Sequence, residues 1–130
     1  MTINKFEELE IWQEARELAK IVFQLTQKRA FRSDFKLKDQ IRGASGSTMD
    51  NIAEGFERNG KAEFIQFLSI AKGSCGEIRS QAYRIFDYGY INKKELDDLI
   101  KRCTILSKKT SSLMGYLKKS NLNGSKYKRP

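Results

Sequence analysis

Histidine is absent from the chain, and that gap removes much of the chemistry a small protein can carry. Without it neither a Ser-His-Asp nor a Cys-His nucleophile arrangement can be built. The bundle di-iron site that takes Glu-x-x-His from two helices is excluded as well, as is a Cys/His zinc site. Cysteine is scarce: Cys75 and Cys103 have no local partner spacing, which suits a reduced compartment better than a stapled secreted fold. No P-loop and no GxGxxG run occurs, so no recognised phosphate loop is present. No apolar stretch approaches the roughly 20 residues that span a bilayer. The opening MTINKFEELEIW carries carboxylates where a signal peptide has its apolar run. Glu54 and Glu77 can be written as a carboxylate pair, but a paired-acid site needs a cleft and nothing in the sequence suggests one. The expectation is a cytoplasmic protein with no metal, no cofactor and no catalytic residues.

Acidic residues are missing from one region in particular. Residues 101–130 hold nine basic side chains, Lys101, Arg102, Lys108, Lys109, Lys118, Lys119, Lys126, Lys128 and Arg129, and no Asp or Glu, which equals the formal net charge of +9 of the whole chain. A second cluster sets Lys28, Arg29, Arg32, Lys36, Lys38 and Arg42 against Asp34 and Asp39, while the first 27 residues are net acidic. Charge concentrated in this way points to a polyanionic partner, and the plain alternative is a solvated face that aids solubility.

What the chain has in quantity is helical periodicity. Ile11, Ala15, Leu18, Val22 and Leu25 step by four and three beside a second stripe of Trp12, Ala19 and Phe23, predicting a first helix from about Glu8 to Lys28 with a wide apolar face. Leu37, Ile41, Ala44, Thr48, Ile52 and Phe56 mark a second helix capped by Ser33 or Asp34. Gly43 and Gly46 each cost about 1 kcal/mol relative to Ala there, so tertiary packing must hold that segment helical. A third helix starts after Asn59 and Gly60, with Glu63 near its N-terminus, and runs through Phe64, Phe67, Leu68, Ala71, Cys75, Ile78, Ala82 and Ile85 to a stop at Gly89. Leu96, Leu99, Cys103, Leu106, Thr110, Leu113 and Leu117 give the fourth helix the cleanest heptad pattern in the chain. No strand-like alternation and no internal repeat are visible. The predicted fold is all-α, an antiparallel up-down-up-down four-helix bundle over residues 1–120, followed by a basic flexible C-terminal tail over residues 121–130.

That connection order decides which charges share an end. One pole collects Lys28, Arg29, Arg32, Lys36 and Lys38 with Lys93, Lys94, Lys101 and Arg102; the other collects Arg58 and Lys61 with Lys118, Lys119 and the tail. Lys101 and Lys108, like Arg102 and Lys109, lie seven apart and away from the leucine seam, predicting a basic ribbon on the outer face of the fourth helix. Phe64, Phe67 and Phe86 read as core, whereas Tyr83, Tyr88, Tyr90 and Tyr127 are less determined. Tyr127 sits among Lys126, Lys128 and Arg129, a combination able to sample nucleic acid nonspecifically. Exposed apolar residues left after bundle packing would mark a subunit interface, and Trp12, Ala19 and Phe23 are the candidates.

The run TMDNIAEGFERNGKAEF, residues 48–64, places Asn51, Glu54 and Gly55 in otherwise plain amphipathic helix. Asn51 and Glu54 share one side of the second helix, and Arg58 follows Glu54 at ion-pair spacing. Two readings stand: bonding with third-helix polar groups such as Ser74 and Glu77, or contact with a ligand or partner. The structural reading is favoured, because buried polar groups persist by being satisfied.

The segments FEELEIWQEARELA, QIRGASGSTMDNIAEGFER and EFIQFLSIAKGSCGEI, with the GYI that follows, resemble the bacterial four-helix-bundle family encoded in 23S rRNA intervening sequences. The resemblance covers about residues 6 to 118, and its most specific elements are NIAEG, the EF after it, and the IAxGSxxE pattern at residues 70–77. It implies a homo-oligomer, typically a ring of five bundles, with a basic surface. It also implies kinship in fold with the accessory proteins of diversity-generating retroelements, which associate with a reverse transcriptase and nucleic acid; such analogy transfers function weakly. The family's ribosomal-protein label does not imply a place in the ribosome. Where the family commonly has a SIPxN run, this chain has Ser47, Thr48, Met49, Asp50 and Asn51, so a proline kink does not carry over. No catalytic residues carry over either.

Two functional expectations follow. In the first, an oligomer binds RNA or DNA by shape and charge, neutralising phosphates with Lys101, Arg102, Lys108, Lys109, Lys118, Lys119 and the basic turn of Lys28, Arg29, Arg32, Lys36 and Lys38. In the second, the chain is a protein-interaction scaffold or accessory factor whose basic face docks an acidic protein partner. No membrane partner is expected.

Overall fold

The computed structural model describes residues 2–128. Four helices follow one another: α1 (Glu10–Thr26), α2 (Phe35–Glu57), α3 (Lys61–Asp87) and α4 (Lys93–Lys119). Each packs on its neighbours in chain order, and α4 closes against α1, so the bundle is the expected up-down-up-down arrangement. Every heptad position read from the sequence as core is buried or half-buried, with Phe64, Leu68, Ile78, Ile85, Leu99 and Leu117 fully enclosed. Phe67 and Phe86 are half-buried at the margin of that core.

The helix ends are set by local chemistry. Asp34 caps α2 by accepting a hydrogen bond from the Leu37 amide at 3.2 Å. Asn92 and Glu95 form a reciprocal capping box at the start of α4, each side chain accepting from the other's backbone amide at 2.8 and 2.9 Å. Gly89 adopts φ +81°, and the Gly89 and Tyr90 amides bond back to the Phe86 and Ile85 carbonyls, a Schellman stop where the sequence predicted one. The glycine-bearing middle of α2 stays helical within a single uninterrupted element, with Ala44, Ser45 and Thr48 buried; packing offsets its poor propensity.

The chain termini depart from expectation. The sequence predicts a basic flexible tail over residues 121–130; residues 121–128 turn back over the bundle. The Asn123 carbonyl accepts from the Lys61 amide at 2.9 Å, and the buried Ser125 hydroxyl donates to the Phe56 carbonyl. A two-residue β1 (Thr2–Ile3) pairs antiparallel with a two-residue β2 (Tyr127–Lys128), too short for any alternation to show in the sequence. The physical reason lies in unspent groups: helix termini leave amides and carbonyls without partners, and the returning chain satisfies those of α2 and α3 while Ile3 and Tyr127 cover the end of the core. Of the predicted tail, Arg129 and Pro130 lie outside the described residues, as does the side chain of Lys128.

Candidate nucleic-acid interface

The turn between α1 and α2 carries the second basic cluster, and three contacts fix it to the turn between α3 and α4. Lys28 reaches Glu95 at 2.5 Å, the Tyr90 hydroxyl donates to the Asp34 carboxylate at 2.8 Å, and the buried Phe31 ring stacks on Tyr90 at 4.8 Å. Partial burial pushes the Glu95 carboxyl up, but the bonds from Lys28 and from the Asn92 amide outweigh it and leave the carboxyl below its ordinary value. The Tyr90 phenol is held above its ordinary value because its proton bonds the Asp34 carboxylate. Lys28 is therefore spent on the latch. Arg29, Arg32 and Lys36 point outward, exposed, and among the described residues no ion pair engages them. Lys38 donates to the Arg32 carbonyl at 3.2 Å.

The predicted ribbon on α4 divides in two. Arg102 pairs with Asp98 at 2.9 Å, and Lys109 is clamped between Glu10 and Glu14 of α1, the latter at 2.8 Å. Those two carboxylates raise the Lys109 pKa. Lys101 and Lys108 are exposed and, among the described residues, in no ion pair. For Lys109 the cause is the acidic flank of α1, which the sequence placed in a net acidic segment without showing that it would lie along α4; Arg102 is answered from within α4, by an acid at i−4. At the opposite pole Lys118 and Lys119 are exposed at the end of α4, and Lys61 is bound to the Ser120 carbonyl at 3.0 Å.

The NIAEG segment is a joint. Asn51 donates to the Ser47 carbonyl at 2.8 Å and the Ser47 hydroxyl at 3.0 Å, and that hydroxyl meets the Ser74 hydroxyl of α3 at 2.9 Å. Glu54 pairs with Arg58 at 2.9 Å, as its spacing suggested. Gly55 is buried against α3, where an added Cβ would stand 2.5 Å from the Phe67 Cβ. Glu77 takes no part in this joint; it accepts from Gln81 within α3 at 3.1 Å.

The predicted interface stripe resolves into a different pattern. Trp12 is half-buried, its ring edge-on to Phe6 at 5.1 Å with Arg16 over it at 5.8 Å. Ala19 and Phe23 line a shallow depression with Arg16, Lys20, Gln24 and Met49. Arg42 of α2 lies over the Phe23 ring at 4.7 Å, and Lys38 lies over Phe35 at 4.9 Å. Sequence reading missed these cation–aromatic pairs. The i,i+3 spacing of Phe35 and Lys38 was available as a signal, but Phe23 and Arg42 meet only through packing.

Among the described residues no helix is long and apolar enough to cross a membrane, and no cluster of three or more His, Cys, Asp or Glu could hold a metal ion. The model of the 23S rRNA-intervening sequence protein family matches residues 7–112. No match is found among curated proteins. A solved structure from Bacteroides thetaiotaomicron, described as a protein of unknown function from the S23 ribosomal protein family, is similar at 22% identity and a TM-score of 0.74, over 81% of this chain and 95% of that one.

Proposed function

The chain belongs to the 23S rRNA-intervening sequence protein family, and from that premise we propose that it is a non-enzymatic, basic, homo-oligomeric bundle that binds nucleic acid through phosphate contacts. The observation that carries this reading is the latched basic turn. Arg29 and Arg32 project from a connection tied down by Lys28 to Glu95, Tyr90 to Asp34 and Phe31 on Tyr90, and Lys36 projects from the first turn of α2 beside it. Cations on a fixed backbone lose less entropy when they engage phosphates. Lys101 and Lys108 add a second unpaired stripe, whereas Arg102 and Lys109 contribute less because acids already answer them. Phosphate engagement of this kind discriminates by shape and charge. Assembly into a ring, with five copies the number the family resemblance implies, multiplies weak contacts into avidity. The reading places the protein in the cytoplasm, where such polyanions are abundant.

The test is affinity for a structured RNA and a DNA duplex of similar length across a salt series. Log affinity falls linearly with log salt, and Arg29→Glu/Arg32→Glu/Lys36→Glu flattens the slope by about 0.9 for each phosphate that is no longer neutralised. Lys101→Glu/Lys108→Glu weakens binding less. Absence of binding at low salt defeats the reading and returns attention to an acidic protein partner.

A further inference from the structure

The face shared by α1 and α2 carries a second kind of chemistry. Phe35, Arg42 and Met49 repeat every seven residues along α2, and Arg16, Ala19 and Phe23 lie on the α1 stripe beside them. Phe23 is 50% exposed and Phe35 68% exposed, an unusual cost for two large aromatic rings on one face. Each ring has a cation over it, Arg42 on Phe23 and Lys38 on Phe35. Arg42 is also fixed by donating from Nε to the buried Thr26 hydroxyl at 2.8 Å. Two turns of α2, about 10 Å along its axis, separate Arg42 from Phe35.

We infer that this face is a stacking platform for the unpaired bases of single-stranded nucleic acid, with Phe23 and Phe35 as the two ring contacts. The inference rests on the proposed nucleic-acid binding and adds what that reading lacks, a preference for single strands. Bases inside a duplex are already stacked and cannot reach a side-chain ring, whereas an unpaired base offers its π-face to any exposed aromatic. The cation covers one face of each ring, so a base stacks on the opposite face and the positive charge stands across the ring from it, within reach of the adjoining phosphates. The depression beside Phe23 is lined by Arg16 and Lys20 and by no acid; Glu17 lies 3.7 Å from Lys20, and Asp39 follows Phe35 at i+4. Packing this face on the same face of a second copy would oppose like charges; a ring joins two different faces at each contact, so oligomer mass is read beside affinity in the experiment.

The experiment compares an oligothymidylate of about twelve nucleotides with an abasic phosphodiester of the same length, which keeps the phosphates and removes the bases. The expected result is affinity about tenfold or more higher for the oligothymidylate. In Phe23→Ala/Phe35→Ala the two probes bind alike, at the affinity the unchanged protein shows for the abasic chain. Both rings lie outside the core, so an unchanged denaturation midpoint accompanies this loss, and Phe23→Trp/Phe35→Trp restores the preference. Equal binding of the two probes by the unchanged protein overturns the platform and leaves phosphate binding standing. A preference that survives the alanine substitutions overturns it too, as does a fall in oligomer mass on substitution, which makes the stripe a subunit contact. If neither probe binds at low salt, the platform and the proposed function fall together.

Discussion

Two seams of the bundle are built on opposite principles. Between α2 and α3 the helices close on small and polar groups: Gly55 lets the Phe67 Cβ approach, and Asn51, Ser47 and Ser74 pass hydrogen bonds across. Between α4 and α1 the outer edge of the contact is ionic, with Lys109 held by Glu10 and Glu14 beside a groove lined mainly by charge. The first seam is specified by shape, since a single added methyl has nowhere to go. The second is specified by charge at solvent-exposed positions, where the medium screens most of the attraction. The difference teaches that the most distinctive sequence motif of the chain serves packing, while the charges that suggest function are partly consumed in holding α1 to α4.

Gly55→Ala breaks the comparison most sharply. Alanine improves helix propensity by about 1 kcal/mol, yet its Cβ would collide with a backbone-anchored atom of Phe67, and overpacking of this kind costs about 3 kcal/mol. Urea denaturation should therefore show a net loss of stability, and a gain would mean the α2 to α3 seam is not closely packed. Deleting residues 121–130 comes next. Burial of the Tyr127 side chain stabilises by about 2 kcal/mol, so the midpoint falls; an unchanged midpoint would restore the free tail that the sequence suggested.

Acid probes the latch of the basic turn. The Glu95 carboxyl is lowered in the folded state, so its contribution is complete above the unfolded carboxylate value, about 4.3, and is lost as pH falls through the lower folded value. Glu95→Gln removes this part of the acid sensitivity at a cost below about 1 kcal/mol near neutrality. Stability measured between neutral and acid pH checks it, and an unaltered acid limb would show that the latch carries no linkage. The smallest effect on stability belongs to Glu10→Gln/Glu14→Gln, within about 0.5 kcal/mol. Because it releases Lys109, the same change should strengthen nucleic-acid binding and steepen its salt slope by about 0.9. No change in slope would mean that Lys109 stands outside the bound surface.

The helices, their order and most of their ends were legible in the chain alone, because those depend on periodicity and on caps that act within a few residues. Leu96 to Leu117 showed its seam and Gly89 its stop, the α2 cap was narrowed to Ser33 or Asp34, and chain order then brought the turn of Lys28 to the start of α4. The pairing of Glu54 with Arg58 was equally local. Packing settled the fate of those charges and aromatics whose partners are distant in the chain. Lys109 and Glu10, Arg42 and Phe23, Ser125 and Phe56 meet through packing, and no spacing rule relates them. A basic ribbon read from α4 thus became one spent stripe and one open stripe, and the stripe of Trp12, Ala19 and Phe23 carries cations over two of its side chains. Helix formation is governed by near neighbours, but electrostatic and stacking environments are governed by whatever the fold places alongside.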